Sequence, residues 1–350
     1  MLKKLKLQNT RCFSYIEAEF APGHNYLVGP NSQGKSTLLE AVCILLRLQS
    51  PRTKSLKHVI AHGKSGFAVQ GSFASRLLQF YFGHKKKKLA LDTVEQSSAA
   101  EYLNLGNIVF LANSDIELIT GSAEKRRVFL DFLAMQVFPG YRKELRNYTR
   151  ALRHRNALLK EPKLNWQQID SYTPILAGAG DVLLENRKCL VQGLAPETRR
   201  IQRQISNGQE PLLELSYQSS AEGSLREALL HSRSEEVRLR QTLVGPHRDD
   251  LLLSFEGSAL ANFSSEGQQR TAALSLKLAQ REILRAYSKN DPILLLDDVF
   301  GELDTDRRNA LLQELPRDSQ VFIAATSLAW MESGQSGALF QVGNGTITSN

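Results

Sequence analysis

Residues Gly29 to Thr37 read GPNSQGKST and fit the pattern G-x-x-x-x-G-K-[ST] at every fixed position. A glycine-rich loop of this kind can wrap its N–H groups around phosphate oxygens, and the start of the following helix adds a favourable dipole. In that chemistry Lys35 reaches the outer phosphates and the Ser36 hydroxyl helps hold Mg²⁺. A second metal ligand is needed at the end of another strand. The run ILLLDD supplies one, with Asp297 delivered to the metal and Asp298 placed to orient or activate water. An apolar run ending in two aspartates is weak by itself, and beside this loop it becomes strong. The two halves of one nucleotide site thus come from opposite ends of the chain, with a large segment inserted between them.

These residues need elements to position them. Before the loop, NYLV reads as a short buried strand, and after it STLLEAVCILLRL reads as a buried helix. The unbroken apolar residues Ile293 to Leu296 fit a strand covered on both faces of a parallel sheet. The first hundred or so residues are β-rich. Leu5 and Leu7 alternate with Lys4, Lys6 and Gln8, and GFAVQGSFA and LLQFYFG are further strands. The Lys85–Lys88 run falls in a hairpin turn, either as a solvated turn that protects a sheet edge or as a phosphate contact. From Ser122 the pattern turns helical, with Val128, Phe132 and Met135 expected on one apolar face. A second helix covers YRKELRNYTRALRHRNALLK, and a third covers much of 166–192, kinked or interrupted at Pro174. A strand, LLELSYQ, and another helix follow. The last hundred residues alternate helix and strand, which is α/β grammar.

The chain has 350 residues, a length that suggests two domains, and 42% hydrophobic residues, enough for a large core. Its formal net charge of +8 favours an anionic partner such as nucleic acid or a lipid surface. Cys12, Cys43 and Cys189 lie far apart, which argues against a disulfide framework or a zinc site and fits a reducing compartment. The start, MLKKLKLQN, alternates like a strand and lacks the apolar core of a signal peptide. No run approaches the ~20 apolar residues of a membrane span. A soluble, cytoplasmic protein without a membrane partner is the expectation.

A further stretch, SSEGQ (Ser264 to Gln268), heads a helix just before the ILLLDD strand, and GELD (Gly301 to Asp304) follows that strand. With the split phosphate loop, this arrangement resembles the ABC-type ATPase heads. SSEGQ stands where they carry the signature loop, and GELD where they carry the D-loop. The blocks LKLQNTRCF, GPNSQGKST, GSAEKRRVFLD, YTRALRHRNALLK, GPHRDDL, SEGQQR and LLLDDVFGELD, in this order along the whole chain, are similar to those of the RecF family.

The resemblance implies an α/β fold: a P-loop ABC-type ATPase head with an antiparallel β-rich N-terminal part and an inserted helical arm domain. The expected division is 1–122 for the first head segment with the Walker A loop, 123–241 for the arm, and 242–350 for the second head segment with signature and Walker B. It implies ATP and Mg²⁺ as cofactors, weak DNA-stimulated ATPase activity, and ATP-dependent homodimerisation on single-stranded, duplex or junction DNA. The implied role is recombinational repair: recombinase loading at gaps, replication-fork maintenance and SOS induction, with the mediator RecR as partner. By position, Arg11 and the loop residues Gly29, Pro30, Asn31, Ser32, Gln33, Gly34, Lys35, Ser36 and Thr37 would bind the nucleotide. Asp297 would bind metal, and Asp298 together with Lys35 would be catalytic. Ser265, Gly267 and Gln268 would contact ATP held by the other subunit, and Asp304 would lie across the dimer interface.

Two positions depart from the family pattern. The loop after the NIVFLA strand carries Asn113-Ser114-Asp115 where a proline and an acid usually precede the aspartate. After VFIAA stand Thr326 and Ser327 where many ABC ATPases place a histidine, and no histidine follows His247. The second departure suggests slow hydrolysis. GPHRDD (Gly245 to Asp250) reads as a turn with a structural or arm-coupling role, and His247 has no partner at metal-ligand spacing. Arg126, Arg127, Arg146, Arg150, Arg153 and Arg155 recur through the arm, as solvated charge or, for some, as phosphate contacts; no recognition-helix motif suggests base reading. Two other readings share the loop and signature: the energising subunit of a membrane transporter, and a nucleotide-gated adaptor without useful turnover.

Overall fold

The computed structural model describes residues 1–288, 290–330 and 337–349. It divides into two compact units. One comprises Met1–Asp115, Ile205–Asn207 and Leu284–Asn350; the other comprises Ile116–Gln204 and Gly208–Ile283. Residues 242–283, expected in the second head segment, fall in the second unit.

The first unit opens with strands β1 (Leu2–Thr10), β2 (Phe13–Glu19) and β3 (His24–Val28), then helix α1 (Lys35–Arg47). Strands β4 (Gly66–Phe73), β5 (Arg76–Gly83), β6 (Lys87–Leu91) and β7 (Val94–Glu95), helix α2 (Ala100–Leu103) and strand β8 (Ile108–Ala112) follow. Six strands form an antiparallel sheet in the order β2-β1-β4-β5-β6-β7. Leu2, Leu5 and Leu7 of β1 are buried, while Lys4 and Lys6 reach Glu17 and Glu19 across the strand pair. Lys85 and Lys86 occupy the turn between β5 and β6, and Lys87 begins β6.

In the second unit the chain forms α3 (Glu117–Thr120), α4 (Ala123–Val137), α5 (Tyr141–Leu159), α6 (Trp166–Ser171) and α7 (Thr173–Ile205). Strand β9 (Leu213–Gln218), helices α8 (Leu225–His231) and α9 (Arg233–Leu239), strands β10 (Asp250–Phe255) and β11 (Ser258–Ala259), and helices α10 (Leu260–Phe263) and α11 (Glu266–Tyr287) follow. The strands make a small antiparallel sheet, β11-β10-β9, with α4 against β10. The apolar face expected on α4 is corrected. Phe129, Leu130, Leu133, Ala134 and Val137 are buried, Val128 is 53% exposed, and Phe132 and Met135 are only half-buried. The helix contains apolar residues at both sets of positions, so periodicity alone offers two faces. Pro174 starts α7 rather than kinking it, since a first-turn proline loses no helical hydrogen bond; the interruption falls at Tyr172, between α6 and α7.

The chain returns to the first unit with β12 (Ile293–Asp297), α12 (Thr305–Glu314), β13 (Val321–Ala325), β14 (Ala338–Gly343) and β15 (Thr346–Ser349). A second six-stranded sheet runs β15-β14-β3-β13-β12-β8, parallel except for the edge pair β14–β15. Ile293 to Leu296 and all of β13 are buried, as unbroken apolar strands in a parallel sheet should be. Helix α1 lies against β8, β12 and β13 of this sheet and against β1, β4 and β5 of the other. It is therefore buried nearly all round, which is what its uniformly apolar sequence requires.

Candidate nucleotide site

Parallel topology brings the ends of β3, β8, β12 and β13 to one edge of the sheet. In open α/β sheets this carboxyl edge is where ligands bind. The β3–α1 loop sits there. Gly29 passes so close to β14 that a Cβ on it would lie 2.0 Å from the Val342 carbonyl oxygen. Gly34 has φ +108°, and a Cβ there would lie 2.4 Å from Cζ of Phe13. Both fixed glycines of the pattern are thus sterically required. Pro30, Asn31 and Ser32 form the exposed crest, and Gln33 accepts a hydrogen bond from Asn344 N at 2.9 Å.

Helix α1 begins with no side-chain cap. Its first N–H groups stay open to an anion, where the helix dipole favours negative charge. The Lys35 ammonium crosses back over the loop to the carbonyls of Gly29 and Pro30, at 2.6 and 2.8 Å. Burial pulls its pKa below the ordinary lysine value, and the charges of Asp298 and Asp297 oppose that pull. Thr37 is buried behind it.

Ser36 Oγ donates to Asp297 Oδ1 at 2.7 Å. Two hard oxygen donors from opposite ends of the chain therefore meet, as a Mg²⁺ site requires. Burial raises the Asp297 pKa, and the Ser36 hydrogen bond and the Arg52 charge lower it. Asp298 has φ 56°, a left-handed conformation. Its backbone is fixed on both sides: its N–H donates to Ala324 O at 3.1 Å and its carbonyl accepts from Asn113 Nδ2 at 3.0 Å. The Asp298 carboxylate accepts no hydrogen bond among the described residues, and its charge acts on Lys35. Asn113, one of the departures, thus acts on the backbone beside that carboxylate. Asp115 accepts from Ala112 N at 2.8 Å and closes the same turn. At the missing-histidine position Thr326 is exposed, and Ser327 Oγ accepts from Ala329 N at 3.1 Å.

Arg11 has a partner that sequence reasoning missed. Its Nε and Nη2 donate to the two oxygens of Glu40 at 2.6 and 2.8 Å. Glu40 is fully buried in α1 and also accepts from Ser50 Oγ at 2.5 Å. The pairing raises the Arg11 pKa and holds its guanidinium against Glu40 of α1. A lone acid in an apolar helix was the available signal, since a buried carboxylate needs a charged partner. Asp304 caps α12, accepting from Arg307 N at 2.8 Å and pairing with Arg307 Nη1 at 2.7 Å, and its pKa is lowered accordingly.

The signature residues belong to the second unit. Ser265 N donates to Gln268 Oε1 at 2.9 Å, and Gln268 N donates to Ser265 Oγ at 3.3 Å. This reciprocal pair is a capping box at the start of α11. Ser265 and Glu266 are exposed, Gly267 is half-buried, and Phe263 just before them is 77% exposed.

The other singled-out residues of this unit divide sharply. Arg126 makes a two-point pair with Asp250, at 2.7 and 2.8 Å, and also caps the Gly121 carbonyl. Arg127 donates to Asp249 O, and Arg155 is buried against Glu236 and Thr242. His247 has both ring nitrogens engaged, by the Tyr148 hydroxyl at 2.7 Å and the Thr242 carbonyl at 3.1 Å, and burial pushes its pKa down to about 4. Asp249 accepts from Tyr217, Ser220 N and Ser220 Oγ, each at 2.7 Å, and Arg187 donates to the Pro246 carbonyl at 2.6 Å. The GPHRDD block therefore ties strand β9 to helices α4, α5 and α7. Arg146, Arg150 and Arg153 remain exposed.

Residues 1–347 match the family described as RecF/RecN/SMC N terminal domain. The chain is 34% identical to the DNA replication and repair protein RecF of Lacticaseibacillus casei, over 99% of each chain. It is 33% identical to the protein of the same name from Streptococcus equi subsp. zooepidemicus, covering 99% of this chain and 97% of the relative. Among solved structures it is similar to the recombination mediator protein RecF with ATP in the RecFOR pathway, at 29% identity and a TM-score of 0.89 over 100% of this chain and 97% of that one. The Smc head domain of Pyrococcus furiosus matches with a TM-score of 0.56 at 14% identity, over 100% of this chain and 95% of that one, a likeness of fold alone. The split loop, the Ser36–Asp297 junction and the ABC-type head agree with this full-length likeness, and the chain is a member of the RecF family.

Proposed function

We propose that this chain binds ATP in the Gly29–Thr37 loop and closes into a homodimer around it, and in that state holds DNA for recombinational repair. The observation that carries the reading is the 2.7 Å contact of Ser36 with Asp297, which joins the two halves of the site. Loop N–H groups from Gly29 to Thr37 and the Lys35 ammonium take the phosphates, and Arg11, held by Glu40, stands beside them. Ser36 and Asp297 would hold Mg²⁺, which would supply charge neutralisation at the phosphates. Asp298 takes the proton of the attacking water, with its backbone fixed by Asn113. Without a histidine after β13, turnover is slow; its stimulation by DNA is part of the same proposal.

Ser265, Gly267 and Gln268 face the γ-phosphate of ATP bound to the second copy, and Asp304 lies at the same interface. An isologous pair of this kind uses each surface twice. Relatives named for DNA replication and repair, and a mediator structure from the RecFOR pathway, support a role in recombinational repair; action at gapped or junction DNA with RecR as partner, in the cytoplasm, is part of the same proposal. Recombinase loading, fork maintenance and SOS induction are the roles proposed with it. The three-part division into two head segments and an arm belongs to the same reading.

The test is the mass of the protein in solution with ATP, with ADP and without nucleotide, each with and without junction DNA. A dimer formed with ATP alone, and lost in Ser265→Arg while ATP still binds, is the expected result. A normal ATP-induced dimer of Ser265→Arg would reduce the stretch to a helix cap. Steady-state ATPase measured with DNA separates this reading from an adaptor that binds ATP without turnover.

A further inference from the structure

Six arginines of α4 and α5, namely Arg126, Arg127, Arg146, Arg150, Arg153 and Arg155, differ in what they touch. Arg126 and Arg155 are held by carboxylates and Arg127 by a backbone carbonyl. Arg146, Arg150 and Arg153 are exposed on α5, and among the described residues no acid pairs with them. They stand at spacings of four and three, so they form one stripe along the helix. The opposite face, with Tyr141, Tyr148, Ala151, Arg155 and Leu159, is buried. The one acid of this helix, Glu144, accepts from Asn147.

Like charges four apart on a helix repel; the pKa of Arg142, one turn earlier, is lowered first by burial and then by the charge of Arg146. The stripe thus opposes the stability of its own helix. Its span is about 10 Å at ~1.5 Å per residue. One strand of a duplex carries a phosphate about every 3.4 Å of its axis, so roughly three phosphates match three guanidinium groups. No large apolar side chain of α5 is exposed, so the stripe lacks the anchor that a protein interface centres on.

We propose that Arg146, Arg150 and Arg153 form a binding stripe for the sugar–phosphate backbone of nucleic acid, sequence-independent and separate from the nucleotide site. This rests on the reading of the chain as a DNA-binding protein. The experiment compares the salt dependence of duplex binding for the wild-type protein, the triple variant Arg146→Gln/Arg150→Gln/Arg153→Gln, and the triple lysine variant, with nucleotide titration as a control of the fold. Three lost contacts should lower the slope of log K on log salt by about 2.7, at ~0.9 per phosphate. The lysine variant should keep the wild-type slope, and ATP affinity should be the same in all three. An unchanged slope in the glutamine variant overturns the stripe while leaving DNA binding in place. Loss of RecR binding at an unchanged slope also overturns it, and assigns the stripe to an acidic protein surface. Absence of any wild-type DNA binding would instead remove the underlying reading.

Discussion

The two units treat charge in opposite ways. At the sheet edge of the first, Lys35, Asp297 and Asp298 are crowded, only partly neutralised and open to one side. In the second, Arg155 and Glu236 are 1% and 0% exposed and satisfy each other at two points, and Arg187 with Asp131 is nearly as buried. Buried, reciprocally satisfied charges fix an architecture. Charges held close with spare bonding capacity can do chemistry. The start of α11 lies between these cases, since its polar, partly exposed end is closed by its own Ser265–Gln268 box.

The comparison can be broken most forcefully at the buried pair. Arg155→Met leaves the Glu236 carboxylate alone in the interior, and removing one partner of such a pair costs about 3–5 kcal/mol. Urea denaturation should show that loss. A variant as stable as wild type would mean the pair is not structural.

A pH titration sharpens the same contrast. His247 is neutral when folded, with a pKa of about 4 against an ordinary 6.5. Between those values the unfolded chain binds more protons, so stability is full above pH 6.5 and falls as pH drops toward 4. The loss at the low end is up to about 3 kcal/mol. His247→Asn should flatten that part of the stability curve; an equal slope in both proteins would assign the loss elsewhere.

In the open site the signature is reversed. Lys35→Met should weaken ATP binding about 10- to 100-fold, as expected for a lost hydrogen bond from a charged group, while the melting temperature changes little. Unchanged affinity by calorimetric titration would remove the loop from the nucleotide site. The smallest effect belongs to the intermediate case. Gln268→Ala removes the acceptor of the Ser265 N–H in the capping box and should cost about 0.5–1.5 kcal/mol of stability, the worth of one hydrogen bond. ATP affinity of the isolated monomer should stay the same, and a monomer with altered affinity would contradict the assignment of Gln268 to the second copy's nucleotide.

The phosphate loop was legible because its function dictates residue types at fixed spacing. The required glycines, the buried strand before and the apolar helix after all follow from one backbone geometry. Asp297 was legible for a related reason, since an unbroken apolar run can end at the sheet edge. Partner choice was not legible. Nothing in the spacing of Arg126, Arg155 and Arg150 distinguishes a salt-bridged residue from an open one, because their partners Asp250 and Glu236 are distant in the chain. The Glu40–Arg11 pair escaped notice for the same reason. The face of α4 was misread because both of its candidate stripes are apolar, and only the neighbouring elements choose between them.

Helix α1, packed between two sheets, carries a consequence for synthesis. Strand β3, which feeds the phosphate loop, pairs with β13 and β14, and β8 pairs with β12. Each partner comes from the far end of the chain. A ribosome making ~5–20 residues per second therefore needs roughly 15–50 s after Lys35 before Asp297 exists. Until then the apolar helix has only the N-terminal sheet to cover it, and its other face is open to chaperones and to aggregation. A motif that emerges early is completed late, so a chain that ends before Asp297 lacks half of the candidate site.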